Sequence, residues 1–147
     1  MENALTDLMD AFVPDLGSLI ADLRFWLIFM MVVAPVVLML FGAYYLYLSP
    51  AEANHKAGYR TFYGMGSVAA WRFTQKMAGK TWVISGAVML LAAVVGMILM
   101  IKADVGRIVT VGLVVLILEA LIALIGYITI ESTVSRRYDE NGNLKKK

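Results

Sequence analysis

Glu119 stands near the middle of the apolar run 108–130, and no other charged side chain shares that run. A carboxylate placed in a lipid-spanning helix is costly. It has to face a bundle interior or a water-filled cavity, carry a proton, or meet a partner. Gly112, Glu119 and Gly126 recur every seventh residue and fall on nearly one helix face, where small side chains admit a neighbouring helix. Two readings follow. In one, a protonated or hydrogen-bonded Glu119 locks helices together. In the other it is a proton, ion or ligand site.

The remaining reactive residue types are sparse. His55 is the only histidine and there is no cysteine, so neither a His-based nor a thiolate metal centre is expected. No Ser/His/Asp or Cys/His set has a convincing spacing. We expect no catalytic residue, no metal, no cofactor and no enzyme. Gly79-Lys80-Thr81 has the end of a phosphate-binding loop, but that pattern needs a glycine where Thr74 stands, and no strand precedes it. Asp139, Asn141 and Asn143 alternate as at the start of a calcium loop, yet the glycine falls at Gly142 and no acidic residue follows to close the site. An Asn-Gly turn accounts for them better.

A second cluster is compact: Asn54, Gly58, Tyr59, Arg60 and Thr61, with Trp71 a few turns on. Gly58 can adopt backbone angles that other residues resist. Arg60 offers a planar fork of donors to a carboxylate, phosphate or carbonyl. Tyr59 offers a ring to an interface and a hydroxyl to water. The plainer account is a packed turn whose arginine reaches lipid phosphates.

Composition says what must position these groups. The chain is 61% hydrophobic with a mean hydropathy of +0.75. Only 16% of it is charged, against about 25% in ordinary soluble proteins. Residues 24–48, 81–101 and 108–130 are each long enough to cross a hydrocarbon core, which takes roughly 20 helical residues. Aromatic residues fit the interfacial belts at both ends of the first span, with Phe25 and Trp26 at one and Tyr44, Tyr45 and Tyr47 at the other. Pro35 lies within that span and is expected to kink it. Residues 1–22 carry Glu2, Asp7, Asp10, Asp15 and Asp22 without Lys or Arg. They place apolar residues at helical spacing, so an amphipathic segment is expected there, interrupted at Pro14. This start does not look like a cleaved signal peptide.

The loop 49–80 holds Lys56, Arg60, Arg72, Lys76 and Lys80 against Glu52 alone. Ser67 reads as the N-cap of an interfacial helix through Ala78, with Arg72, Lys76 and Lys80 on its basic face and Val68, Trp71 and Met77 as candidates for the apolar one. Spans two and three form an antiparallel pair across a short connection. The small residues Ser85, Gly86, Ala92, Ala93 and Gly96 are expected to meet the Glu119 face. The tail 131–147 is mixed in charge and ends basic. The expected architecture is an all-α integral membrane three-helix bundle, with an N-terminal amphipathic helix and a cytoplasmic interfacial helix. Positive charge at the loop and tail puts the N-terminus outside and the C-terminus inside. Nucleic-acid binding is not expected of such a loop. Membrane lipids are expected partners, and self-association through small-residue faces is a further expectation.

Asn54, the string Gly58-Tyr59-Arg60-Thr61, Ser67, Trp71 and Ala78-Gly79-Lys80 together resemble the shared segment of the SdpI-type bacterial immunity protein family. The likeness runs from about Ser49 to Asn143. The resemblance implies a protein of the bacterial cytoplasmic membrane that protects the cell from a membrane-active peptide toxin. It also implies a signalling role, in which a cytoplasmic regulator is held at the membrane. Two other classes stay open: a small transporter or channel component with Glu119 in the permeation path, and an accessory subunit of a larger membrane complex.

Overall fold

The computed structural model describes residues 16–53 and 55–146. Three long helices dominate it: α1 over Leu16–Tyr47, α2 over Val68–Met100 and α3 over Val105–Arg137, with a 3-10 turn at Tyr63–Met65. All three are long and apolar enough to cross a membrane. The amphipathic segment expected over 1–22 lies outside the described residues as far as residue 15. Residues 16–22 are the first turns of α1 and continuous with the first span.

The expected division between an interfacial helix and the second span is not there. Residues 68–100 form one helix. Ser67 caps it as expected, accepting the Ala70 N–H at 3.1 Å. Nothing at 78–81 stops it. Gly79, the one weak helix former at that junction, is packed against Leu46 and Gly42 of α1. Likewise α3 continues past residue 130 to Arg137, so the tail expected from residue 131 starts as helix. At 1.5 Å per residue, α2 and α3 are each about 50 Å long, roughly 20 Å more than a hydrocarbon core. The surplus of α2 lies at its N-terminal end and that of α3 at its C-terminal end, where the charged residues stand.

The turn at the opposite end is tight. Lys102 takes φ +58°, and Asp104 caps α3 by accepting the Arg107 N–H at 2.8 Å. This makes α2 and α3 the antiparallel pair the sequence predicts. α2 sits between the other two helices and has its most extensive contact with α1.

That contact runs backbone to backbone. A Cβ on Gly42 would lie 2.7 Å from the Val83 nitrogen, and one on Gly86 2.7 Å from the Pro35 carbonyl oxygen. Pro35 is fully buried and α1 runs through it without ending. Gly86 therefore faces α1, not the Glu119 side where the sequence places it. The other small residues divide as well. Gly96 meets Met31 of α1 and Val115 of α3, while Ser85 meets Gly126. The core falls into two clusters. Met31, Ala93, Met100, Ile108 and Val115 lie near the 101–104 turn. Ala78, Trp82, Ile130 and Val134 lie toward the far end.

Two of the three atoms facing Gly42, the Val83 nitrogen and the Gly79 carbonyl oxygen, are backbone and cannot yield. Gly42→Ala is expected to destabilise the bundle by about 1–3 kcal/mol, as forced overpacking does. Gly106→Ala is expected to be close to neutral, since its Cβ would meet only an Asp104 oxygen at 3.5 Å. Thermal unfolding of both variants in one detergent checks this. Equal midpoints would contradict the close contact.

Candidate functional site

Two places hold the residues singled out in the sequence. The first is the segment 49–67, which folds onto the first two turns of α2. Trp71 is its anchor. The ring is fully buried, and its indole N–H donates to the Pro50 carbonyl at 2.8 Å. Gly58 lies on that ring with φ +98°, and a Cβ there would come within 2.5 Å of it. Glycine is thus required twice at one position, by conformation and by space.

One turn after Trp71, Gln75 holds the next residue. The Tyr59 N–H donates to Gln75 Oε1 at 2.8 Å, and Gln75 Nε2 donates to the Tyr59 carbonyl at 2.7 Å. The side-chain amide thereby satisfies both backbone groups of Tyr59, as a neighbouring strand would. The Tyr59 ring meets Tyr45 of α1 and Trp82 of α2, with centroids 5.6 and 6.3 Å away. Burial pushes the Tyr59 phenol well above its usual range, and the nearby Glu131 carboxylate adds to that. Its hydroxyl has no hydrogen-bond partner among the described residues.

Thr61 is buried and accepts the Gly64 N–H at 2.8 Å, which sets up the 3-10 turn. Arg60 is the exception in the string. It is exposed and donates to the His55 carbonyl at 2.8 Å through Nη1. Four of the expected residues, Gly58, Tyr59, Thr61 and Trp71, therefore build one cap, and Arg60 projects from it. Asn54 lies outside the described residues. Of the three residues expected on the apolar face of this helix stretch, Trp71 is buried, Met77 is partly covered and Val68 is exposed. The buried side is instead small and polar, with Ala70, Thr74, Gln75 and Ala78.

The tail closes the cap from below. The Ser67 hydroxyl donates to the Gly142 carbonyl at 2.7 Å, so one residue caps α2 and docks the tail. Arg137 stacks over Phe73 with 4.5 Å to the ring centroid. The Asp139 carboxylate accepts the Asn143 N–H at 2.7 Å and the Asn141 N–H at 3.0 Å. Those bonds, the Asn143 backbone N–H first, hold its pKa below the usual carboxylate range. This is the Asn-Gly turn the sequence predicts, with Gly142 at φ +74°. Gln75 and the Ser67–Gly142 contact escape sequence reasoning. The signal for Gln75 was present, because Trp71, Gln75, Ala78 and Trp82 recur on one helix face.

The second place is Glu119. It is 4% exposed, and neither carboxylate oxygen has a partner among the described residues. Its face of α3 meets both other helices, not α2 alone. Gly112 abuts Leu27 of α1 and Met100 of α2, and Gly126 abuts Trp82 and Ser85 of α2. Glu119 lies along α3 between these two contacts, in the interval that separates the two core clusters. An apolar groove of about 500 Å³ follows the α2–α3 seam toward the 101–104 turn, lined by Val88, Ala92, Val95, Val111, Val114 and Leu118. Glu119 is not part of its lining, and lies one residue beyond Leu118 in the chain. The cap and Glu119 are thus separate places in the fold.

The sequence profile of the SdpI/YfhL protein family matches residues 51–130, which takes in the cap, all of α2 and most of α3. No curated protein and no solved structure matches the chain significantly.

Proposed function

The chain belongs to the SdpI/YfhL protein family, and on that premise we propose that it protects a bacterial cell from a membrane-active peptide. Family membership and three membrane-spanning helices make it a multi-pass membrane protein of the immunity type. The observation that carries the further reading is Glu119. Its carboxylate is buried with no partner among the described residues, and an apolar groove runs along the same α2–α3 seam. A largely apolar peptide with a cationic or amide donor that enters the seam past Leu118 would engage both.

Charge sets the proposed orientation. Lys56, Arg60, Arg72, Lys76, Lys80, Arg136, Arg137, Lys145 and Lys146 outnumber Glu52, Glu131, Asp139 and Glu140 at the cap end, whereas Arg24, Lys102 and Arg107 share the other end with Asp22 and Asp104. The cap then faces the cytoplasm, and the groove opens in the outer half, where a secreted peptide arrives. Peptide binding between α2 and α3 shifts their packing. That shift reaches the cap, which is built on α2 and tied to the tail of α3. Arg60, exposed on the cap, is the group we assign to a cytoplasmic regulator.

A second reading, movement of protons or ions, is favoured by the same carboxylate. One variant separates them. In cells challenged with the peptide of their own strain, Glu119→Gln is expected to lower survival at least about tenfold, the loss of one charge-assisted hydrogen bond. The parent protein in vesicles is expected to pass no ion current. Unchanged survival removes Glu119 from the receptor. A parent current abolished by Glu119→Gln supports transport instead. For orientation, a membrane-impermeant thiol reagent on intact cells is expected to label Lys102→Cys and spare His55→Cys, and the reverse pattern overturns it.

A further inference from the structure

A groove of about 240 Å³ lies where α1 leaves the membrane, beside the cap and apart from Glu119. Tyr45 and Leu46 of the last turn of α1 form one wall. Ser49 and Pro50 form its end, and Arg72 and Lys76 of α2 the other wall. The two cations stand one helical turn apart and are both exposed. Arg72 uses only Nε within the protein, donating to the Ala51 carbonyl at 3.2 Å, and Lys76 has no partner among the described residues. No carboxylate among the described residues is within ion-pair distance of either. Two unneutralised cations therefore converge on one recess.

We propose that this groove binds the phosphate of an anionic phospholipid headgroup. The guanidinium supplies a planar pair of donors and the ammonium a second charge, which suits a phosphodiester. The position selects a lipid over a free anion. Tyr44, Tyr45 and Tyr47 mark the interfacial level of α1, and the Leu46 wall continues into the apolar turns around Phe41, so the acyl chains of a bound lipid lie along α1. The floor links the groove to the cap. Gln75, which lines it, holds Tyr59, and Pro50 accepts the Trp71 indole N–H. A seated headgroup thus braces the cap. The proposal needs only that the helices span a membrane, and it stands apart from any role in protection.

The test uses the full chain in detergent, exposed to dioleoyl-phosphatidylglycerol or dioleoyl-phosphatidylcholine, with retained lipid counted by native mass spectrometry. At roughly fivefold in affinity per basic residue near the surface, the parent is expected to prefer phosphatidylglycerol by about thirtyfold. Arg72→Gln/Lys76→Gln is expected to abolish that preference. Arg136→Gln/Lys146→Gln, which removes the same charge from the same end, is expected to keep it. Lys76→Gln alone makes no contact whose loss could unfold the protein, and it is expected to lower the preference about fivefold. Equal loss in both double variants, no effect of Lys76→Gln, or no preference in the parent overturns the site. Displacement of phosphatidylglycerol by millimolar inorganic phosphate overturns the lipid assignment.

Discussion

The contact between α1 and α2 is the constraint on which the other features depend. Lipid surrounds these helices with hydrocarbon as apolar as their own side chains, so burial of apolar area gives little preference for one helix neighbour over another. What selects a neighbour is close packing. Gly42, Gly79 and Gly86 let the two backbones touch, with the Pro35 carbonyl seated over Gly86. Once those helices are in register, the end of α1 is delivered beside the first turns of α2. The Pro50 carbonyl then lies within reach of the Trp71 indole, and Tyr45 lies against Tyr59.

From that register the cap assembles by satisfying polar groups one at a time. Trp71 supplies the buried anchor, Gly58 the only backbone that fits over it, and Gln75 the pair of hydrogen bonds that a loop inside a protein otherwise lacks. Ser67 ties the N-terminus of α2 to the tail. Each bond is worth about 1 kcal/mol net, but leaving a buried group unpaired costs more, so the cap is best regarded as one unit. Glu119 is the contrast. It is a buried carboxylate with no partner for either oxygen among the described residues, and an uncompensated ionisable group inside the membrane is where function is expected.

The three spans and the antiparallel hairpin were legible because an apolar run of bilayer length has few alternative folds. Ser67 as a cap and the Asn-Gly turn were legible from local chemistry. The helix break near residue 79 was misread for a physical reason: a glycine and a charge change mark a boundary in water, but here that glycine is a helix contact and the charge change marks the membrane surface. The Gly112, Glu119 and Gly126 face is buried, as their spacing predicts. Its division between two partner helices could not be read from spacing, since periodicity gives a face and not its neighbours. The cap motif was found as a string, while its architecture required Gln75 and Pro50. A backbone carbonyl carries no signal in side-chain types, so Pro50 could not be found that way.

The central claim is that helix packing inside the membrane holds the cap outside it. The indole N–H of Trp71 reports this directly, because it is fully buried and bonded to a residue just beyond α1. Nitrogen-15 indole spectra in detergent, assigned with Trp71→Phe, would be recorded for the parent and for Gly42→Ala. The account predicts that the Trp71 signal shifts and its hydrogen exchange quickens in the variant, although Gly42 touches neither the ring nor the loop. A Trp71 signal unchanged in position and protection, in a variant whose helices have demonstrably loosened, would contradict it.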